Sequence, residues 1–212
     1  SGDNSEEEYR AFIEEVLSNA AEVSRDGALH YYFSDWRHVA QLVQVGQTIF
    51  TELKAQVVWV KNSGAEDTLY RSNHELIPVF QVADGAQSKE VSSGKYRRAR
   101  SDVWTHKPIN SLKAGLIGEV MRHPGGKPVA LVADIIKDAT KRGEVVLDLF
   151  GGSGTTVIAA QRNGRRACLV ESEPRLVDVA VRRFEDNAKA DAVHADTGAT
   201  FAEAAAERAA KS

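Results

Sequence analysis

The sequence predicts an α/β fold, a doubly wound and mostly parallel sheet with an antiparallel edge, and three observations carry that prediction. From Pro128 onward, apolar runs of strand length alternate with helical stretches in a βαβα series. The first of those strands ends in DLFGGSGTT, 148–156, which puts small residues where a strand must turn into a helix. Earlier, two β-rich runs, VVWV at 57–60 and ELIPVFQV at 75–82, flank a polar, turn-rich segment and read as an antiparallel pair.

The elements follow in order. Ser5 with Glu8 forms a capping box, and Tyr9, Phe12, Ile13, Val16, Leu17, Ala20 and Val23 recur at helical spacing. The turn at Asp26-Gly27 leads into LHYYF, and Asp35 is placed to cap a second helix with Trp36, Val39, Ala40 and Val43 on one face. Pro78 predicts an edge or bulged position for the second strand of the antiparallel pair. Residues 84 to about 123 hold no sustained period and are rich in Gly, Ser, Lys and Arg, a long irregular excursion of the kind that is functional or disordered. Pro128 starts a helix whose face is Val129, Val132, Ile135, Ile136 and Ala139, and Gly143 ends it. EVVLDLF then reads as a buried parallel strand, Thr155 to Asn163 as a helix closed by Gly164, RRACLVE as a second strand, and Pro174 to about Asn187 as a helix. DAVHAD reads as one more short strand, and Phe201 to Ala210 as an Ala-rich helix.

With 212 residues, 42% hydrophobic and 27% charged, the chain can bury the core of one ordinary domain. A single cysteine, Cys168, excludes a disulfide framework and a Cys-rich zinc site; it sits in the apolar run ACLV, which reads as buried strand and fits a reducing, cytoplasmic setting. No run of about 18 apolar residues and no basic-then-apolar leader occurs, so neither a membrane span nor secretion is expected. A net charge of -3 argues against a uniformly basic nucleic-acid binder. Positive charge is nevertheless concentrated in KYRRAR, 95–100, followed by His106, Lys107 and Lys113 against Asp102 alone. The scattered histidines offer no paired ligand spacing, and no metal is expected.

Three loop types place glycines between strand and helix. A triphosphate loop needs Gly-Lys-Ser/Thr, a string the chain does not contain; Gly126-Lys127 runs into Pro128. A dinucleotide loop needs a third glycine or alanine where, counting from Gly152 and Gly154, Val157 stands. The third type has an acid at the strand end (Asp148), an aromatic residue (Phe150), a Gly-rich turn and a second acid at the next strand tip (Glu171), and it suits S-adenosylmethionine. Glu171 can accept bonds from ribose hydroxyls while the loop faces the methionyl part. The bland alternative is a tight turn with convenient glycines. It weakens because strand, helix and second acid all stand in place, whereas Ser153, Thr155 and Thr156 read equally well as helix-capping residues.

With DLFGGSGTT and Glu171 on one side and His123-Pro124-Gly125-Gly126-Lys127-Pro128 on the other, the sequence resembles the N6-adenine and N4-cytosine DNA methyltransferases. It is most similar to the subgroup in which the catalytic half comes first, then a target-recognition excursion, then an HP-x-x-KP helix and the glycine loop. The segments SDWRHV, VVWVKN, LYRSNHELIPVF and GKYRRARSDVW also look like this subgroup, particularly members fused to or encoded near a ParB-like domain. The resemblance implies a Rossmann-like, S-adenosylmethionine-dependent methyltransferase fold of seven strands, one reversed, with VVWV and its partner at the antiparallel edge. It also implies one structural domain made of a catalytic half (1–83), a basic target-recognition excursion (84–122) and a cofactor-binding half (123–212).

Carried onto this chain, the cofactor-binding residues are His123, Lys127, Asp148, Phe150, Gly151, Gly152, Ser153, Gly154, Thr155, Thr156 and Glu171, with Lys127 meeting the methionine carboxylate. Lys95, Arg97, Arg98, Arg100, Lys107 and Lys113 are the DNA-binding candidates, set on phosphates of a double-stranded partner. The sequence departs from the family at Gly125-Gly126, where polar residues are usual, and at Leu149, where proline is usual. The looser segment predicts weaker cofactor affinity.

The family's acceptor motif, Asp/Asn/Ser-Pro-Pro-aromatic, has no counterpart: the chain has five prolines and none are adjacent. The resemblance places that motif upstream of Ser1, with a central strand, so the chain is expected to lack both and to be inactive alone. The implied activity is methyl transfer to the exocyclic amine of a flipped base, adenine N6 ahead of cytosine N4, within restriction-modification; a dimer and a ParB-like domain are the further partners it allows. Two rivals stand beside it: an RNA or protein amine methyltransferase, whose usual chain order differs, and a non-enzymatic relic binding cofactor or DNA.

Overall fold

The computed structural model describes residues 6–65, 69–83, 101–106 and 126–210. Ser5 of the expected capping box, Lys95, Arg97, Arg98, Arg100, Lys107, Lys113 and His123 lie outside them. The chain divides into two compact units, Ser1–Pro108 with Lys137–Lys141 and Ile109–Ile136 with Arg142–Ser212.

The first unit contains α1 (Glu6–Glu22), β1 (Leu29–Tyr31), α2 (Val39–Ile49), β2 (Glu52–Ala65), β3 (Ser72–Gln81) and β4 (Val103–Thr105). Its four-stranded sheet has the order β1-β3-β2-β4; β3 is antiparallel to β1 and β2, and β4 is parallel to β2. Glu6, Glu7 and Glu8 place negative charge in the first turn of α1, where the helix dipole favours it. Leu17 of α1, Leu42 and Val45 of α2, Phe50 and Phe80 form the core, with the Phe50 and Phe80 rings stacked at 5.1 Å.

Two expectations are corrected here. The buried face of α2 is Leu42, Val45 and Gly46, and Trp36 is exposed. The Asp35 carboxylate takes the amides of Arg37 at 2.9 Å and His38 at 3.1 Å in a turn that precedes the helix, so the helical period starts at Val39 and is phased differently. The antiparallel pairing forms as expected, with a register shift between Leu53 and Ala55, opposite Phe80 and Val79 and one residue from Pro78. Of the edge and bulged alternatives the edge is the one corrected, because Pro78 is buried in a strand flanked on both sides. Tyr32 donates its amide to the Pro78 carbonyl at 3.2 Å, which turns the proline nitrogen toward the same neighbour. The one bond lost is the amide Pro78 lacks. Ser34 and Leu76 then resume the ladder in register through two bonds, of 2.9 and 2.8 Å, which is why regular β1 is only three residues long.

A polar cluster lies beside the aromatic core. Ser24 Oγ donates to the Ala20 carbonyl at 2.7 Å, so it accepts from His30 Nε2 at 3.0 Å, and His30 Nδ1 accepts from the Tyr32 hydroxyl at 3.1 Å; the tautomer is assigned from this network. Burial lowers the His30 pKa to about 4 and raises that of Tyr32.

The second unit holds α3 (Val129–Ala139), most of which clusters here, β5 (Val145–Asp148), α4 (Thr155–Arg162), β6 (Arg166–Leu169), α5 (Pro174–Ala188) and α6 (Phe201–Ala210). β5 and β6 pair in parallel, and Val132 and Ile136 pack with Ala159 and Ala160 over Val146 and Ala167. Only alternate residues of these strands reach that core. Cys168 is therefore exposed, contrary to the buried-strand reading of ACLV, and so are Val145, Leu147 and Val170. DAVHAD forms no strand; it contributes an isolated bridge, Val193 to Thr200, around a turn whose amides are satisfied locally, His194 to Ala199 O and Gly198 to His194 O, both 2.8 Å. No helix among the described residues is long and apolar enough to cross a membrane.

Candidate functional site

The site grows from the end of β5. Asp148, its last residue, is turned inward: Oδ1 accepts the Phe150 amide at 3.0 Å and Oδ2 accepts the Thr156 hydroxyl at 2.5 Å. One carboxylate thus ties the strand end to the start of α4. Thr155 is used similarly, its hydroxyl donating to the Lys127 carbonyl at 3.3 Å. The N-cap of α4 is Gly154 and no side chain caps it, so the two buried threonines serve tertiary bonds and not the capping role the sequence also allowed.

The loop between requires glycine at two places for different reasons. Gly154 has φ of +79°, and a Cβ there would stand 2.8 Å from the Ala180 Cβ of α5; the loop rests directly on that helix. Gly152 has φ of +50°, but a Cβ there would meet only the Phe150 carbonyl, at 3.8 Å. Its missing side chain leaves open space beside the backbone, where a ligand can approach.

Beyond β6, Glu171 reaches back to this loop. Its Oε2 accepts the Gly152 amide at 2.7 Å, and Oε1 accepts the Glu173 amide at 2.9 Å. Each carboxylate oxygen carries two lone pairs, so both retain capacity for hydroxyl donors. Phe150, 58% exposed, presents an aromatic ring beside the same loop. The structure thus gathers Asp148, Phe150 to Thr156 and Glu171 into one site and brings the Lys127 backbone to it. His123 lies outside the described residues, as do the basic DNA-binding candidates.

One contributor was not anticipated. Arg183 of α5 is 7% exposed, and its Nη1 donates to the Ser153 carbonyl at 2.5 Å and to the Ser153 hydroxyl at 2.6 Å. Burial, and after it the charge of Arg162, lowers its pKa. The signal was present: Leu176, Val179, Ala180 and Arg183 occupy one helical stripe, and a charge among apolar residues at that spacing marks an internal partner.

A parallel strand ending in an acid, a glycine turn at positive φ, a helix and a second strand tipped by an acid define a Rossmann-like α/β protein of the methyltransferase class. The chain belongs to the N6/N4 DNA methylase family, whose pattern matches residues 1–182. Among curated relatives, the type II methyltransferase M2.LlaDCHI of Lactococcus lactis subsp. cremoris is 28% identical over 72% of this chain and 50% of its own length. M2.DpnII of Streptococcus pneumoniae is 28% identical over 81% of this chain and 63% of its own length. The chain thus spans about half to under two thirds of these relatives. Among solved structures, the M1.HpyAVI complex with S-adenosylmethionine superposes with a TM-score of 0.63 at 25% identity, covering 81% of each chain. The cytosine-N4-specific PvuII DNA methyltransferase gives 0.67 at 18% identity, covering 88% of this chain and 74% of that one, and supports the fold alone.

Proposed function

We propose that the glycine loop and Glu171 bind S-adenosylmethionine, and that the chain is the donor-binding part of a DNA amino-methyltransferase. The observation that carries this reading is the Glu171 carboxylate bonded to the Gly152 amide, beside the open space a side chain at 152 would fill. The residues fit the cofactor. Glu171 retains acceptor capacity for ribose hydroxyls, Gly152 admits close approach, the first turn of α4 presents its amide end, and Phe150 offers a flat face for an adenine ring. Asp148 acts indirectly, holding the loop to α4.

When bound, the cofactor supplies a methyl group on a sulfonium centre for direct transfer to nitrogen. The basic residues Lys95, Arg97, Arg98, Arg100, Lys107 and Lys113 of the 84–122 segment hold the phosphates of duplex DNA, and the acceptor is an exocyclic base amine, adenine N6 before cytosine N4. The family match and the type II methyltransferase relatives support a DNA amino-methyltransferase and do not rank the two bases.

Calorimetric titration with S-adenosylmethionine and S-adenosylhomocysteine tests the donor site: binding should weaken at least about tenfold in Glu171→Ala, and unchanged affinity would sink the assignment. Reading the codons upstream of Ser1 for Asp-Pro-Pro-Tyr or a near variant separates enzyme from relic. Nucleoside analysis of DNA methylated by the full reading frame then distinguishes N6-methyladenine from N4-methylcytosine.

A further inference from the structure

Arg183 is the one charged residue buried among the described residues, and no carboxylate pairs with it there. The charge acting on it is that of Arg162, which is repulsive. A buried charge without a counter-ion is costly, and an apolar residue at this place in the stripe would pack without that cost. Packing alone therefore does not account for an arginine at this position. What the guanidinium does is grip one residue of the loop twice, through the carbonyl and the hydroxyl of Ser153.

The hydroxyl bond has a chemical consequence. A serine hydroxyl has one proton and two lone pairs, and Arg183 can only donate. Ser153 Oγ is therefore fixed as an acceptor toward Arg183, and its own proton points elsewhere, with no acceptor among the described residues. The neighbouring backbone is pinned as well, because Gly154 rests on Ala180, one helical turn before Arg183 on α5.

We infer that Arg183 is a positioning residue for donor binding: it presets Ser153 as a hydrogen-bond donor to an oxygen of the bound S-adenosylmethionine. The inference rests on the proposed function, since it assumes that the loop is where the cofactor binds. Arg183 touches no ligand itself; it acts through Ser153, and α5 is the rigid support that delivers it.

The test is calorimetric titration of S-adenosylhomocysteine into the chain and its Arg183→Lys, Arg183→Leu, Ser153→Ala and Arg183→Leu/Ser153→Ala variants, with melting temperatures measured without ligand. Losing a charge-assisted bond that sets a donor should weaken binding about 10- to 100-fold in Arg183→Leu. Arg183→Lys should recover part of this, and Ser153→Ala should weaken binding about tenfold. The double variant should bind no worse than Arg183→Leu, because the two residues act in series. A lower melting temperature with unchanged affinity in both arginine variants would make Arg183 merely structural and overturn the inference. If Arg183→Leu does not fold, Arg183→Lys and Ser153→Ala decide: wild-type affinity in both overturns it. If the unsubstituted chain binds no ligand, the reading of the loop fails and the inference falls with it. Binding by that chain together with indifference at Arg183 defeats the inference alone.

Discussion

Two glycines, Gly46 in the first unit and Gly154 in the second, are both pressed against a neighbour, and they differ in why. Gly46 lies in α2 under the Phe80 ring; a Cβ there would stand 2.4 Å from Cζ, but its backbone is that of an ordinary helix. Gly154 would meet Ala180 at 2.8 Å and also sits at φ of +79°. The first region is defined by what packs, an aromatic and aliphatic core that any set of side chains of the right volume would fill. The second is defined by backbone geometry, held by Asp148, Glu171 and Arg183 bonded to the backbone and side chains around the turn. A fault of packing can be repaired by changing the neighbour, whereas a fault of backbone conformation cannot.

Paired substitutions should expose that difference. Gly154→Ala incurs a left-handed penalty of about 1–2 kcal/mol and overpacking of about 1–3 kcal/mol, and it should lose cofactor binding as well as stability. Adding Ala180→Gly should restore only part of the packing share, since the Ala180 Cα would still stand 3.0 Å from the new Cβ, and none of the backbone share. Gly46→Ala incurs overpacking alone, offset by about 1 kcal/mol of improved helix propensity, so its net cost should be about 1–2 kcal/mol. Adding Phe80→Leu should remove most of that. Urea denaturation of the two single and two double variants measures all four. Equal rescue in both regions would break the distinction.

The comparison sharpens with pH. In the first unit His30 is buried neutral, with its pKa lowered from 6.5 to about 4. Between those values the unfolded chain binds more protons than the folded one, so this contribution is complete above pH 6.5 and is lost as pH falls toward 4. The limiting slope is about 1.4 kcal/mol per pH unit, and the loss between pH 7 and 5 should be about 1–2 kcal/mol. Urea midpoints across that range should fall, and a His30→Leu variant, less stable at pH 7, should show a flatter profile. An unchanged profile in that variant would mean that His30 is not the titrating group.

Much of the second unit was legible because its elements carry their own periods. Val129, Val132, Ile135 and Ile136 mark α3, and the glycines mark the turn between β5 and α4 without reference to the rest of the chain. What was not legible depended on partners distant in sequence. Pro78 read as an edge or bulged residue, and the edge alternative failed because local rules cannot see that its one missing amide falls at a single rung between β1 and the Ser34 bridge. Asp148 read as a ligand contact, and the bonds its two oxygens accept from Phe150 and Thr156, which tie the strand end to α4, could not be read from the sequence. Arg183 carried no expectation from the sequence, because its place on the apolar stripe of α5 gains meaning only against the loop it touches. DAVHAD has strand composition, but its Ala192 amide bonds to the Glu185 carboxylate of α5 and its His194 amide to Ala199 O within the turn.

The smallest expected effect concerns the face of β5 and β6 that the second unit's core does not use. An apolar run such as ACLV implies burial on both sides, and Cys168 would then be a costly residue to change, because a polar atom buried without a partner costs about 1–3 kcal/mol. The structure separates the two sides: Ala167 packs on the core with Val146, while Cys168 points away with Val145 and Leu147. On an exposed face Cys168→Ser should change stability by less than about 0.5 kcal/mol, and an aromatic disulfide reagent should label the native thiol as fast as it labels the chain in urea. Slow native labelling with a loss above about 1 kcal/mol in the serine variant would show that this face is covered in solution. The parallel pair would then be packed on both sides, as its composition first implied.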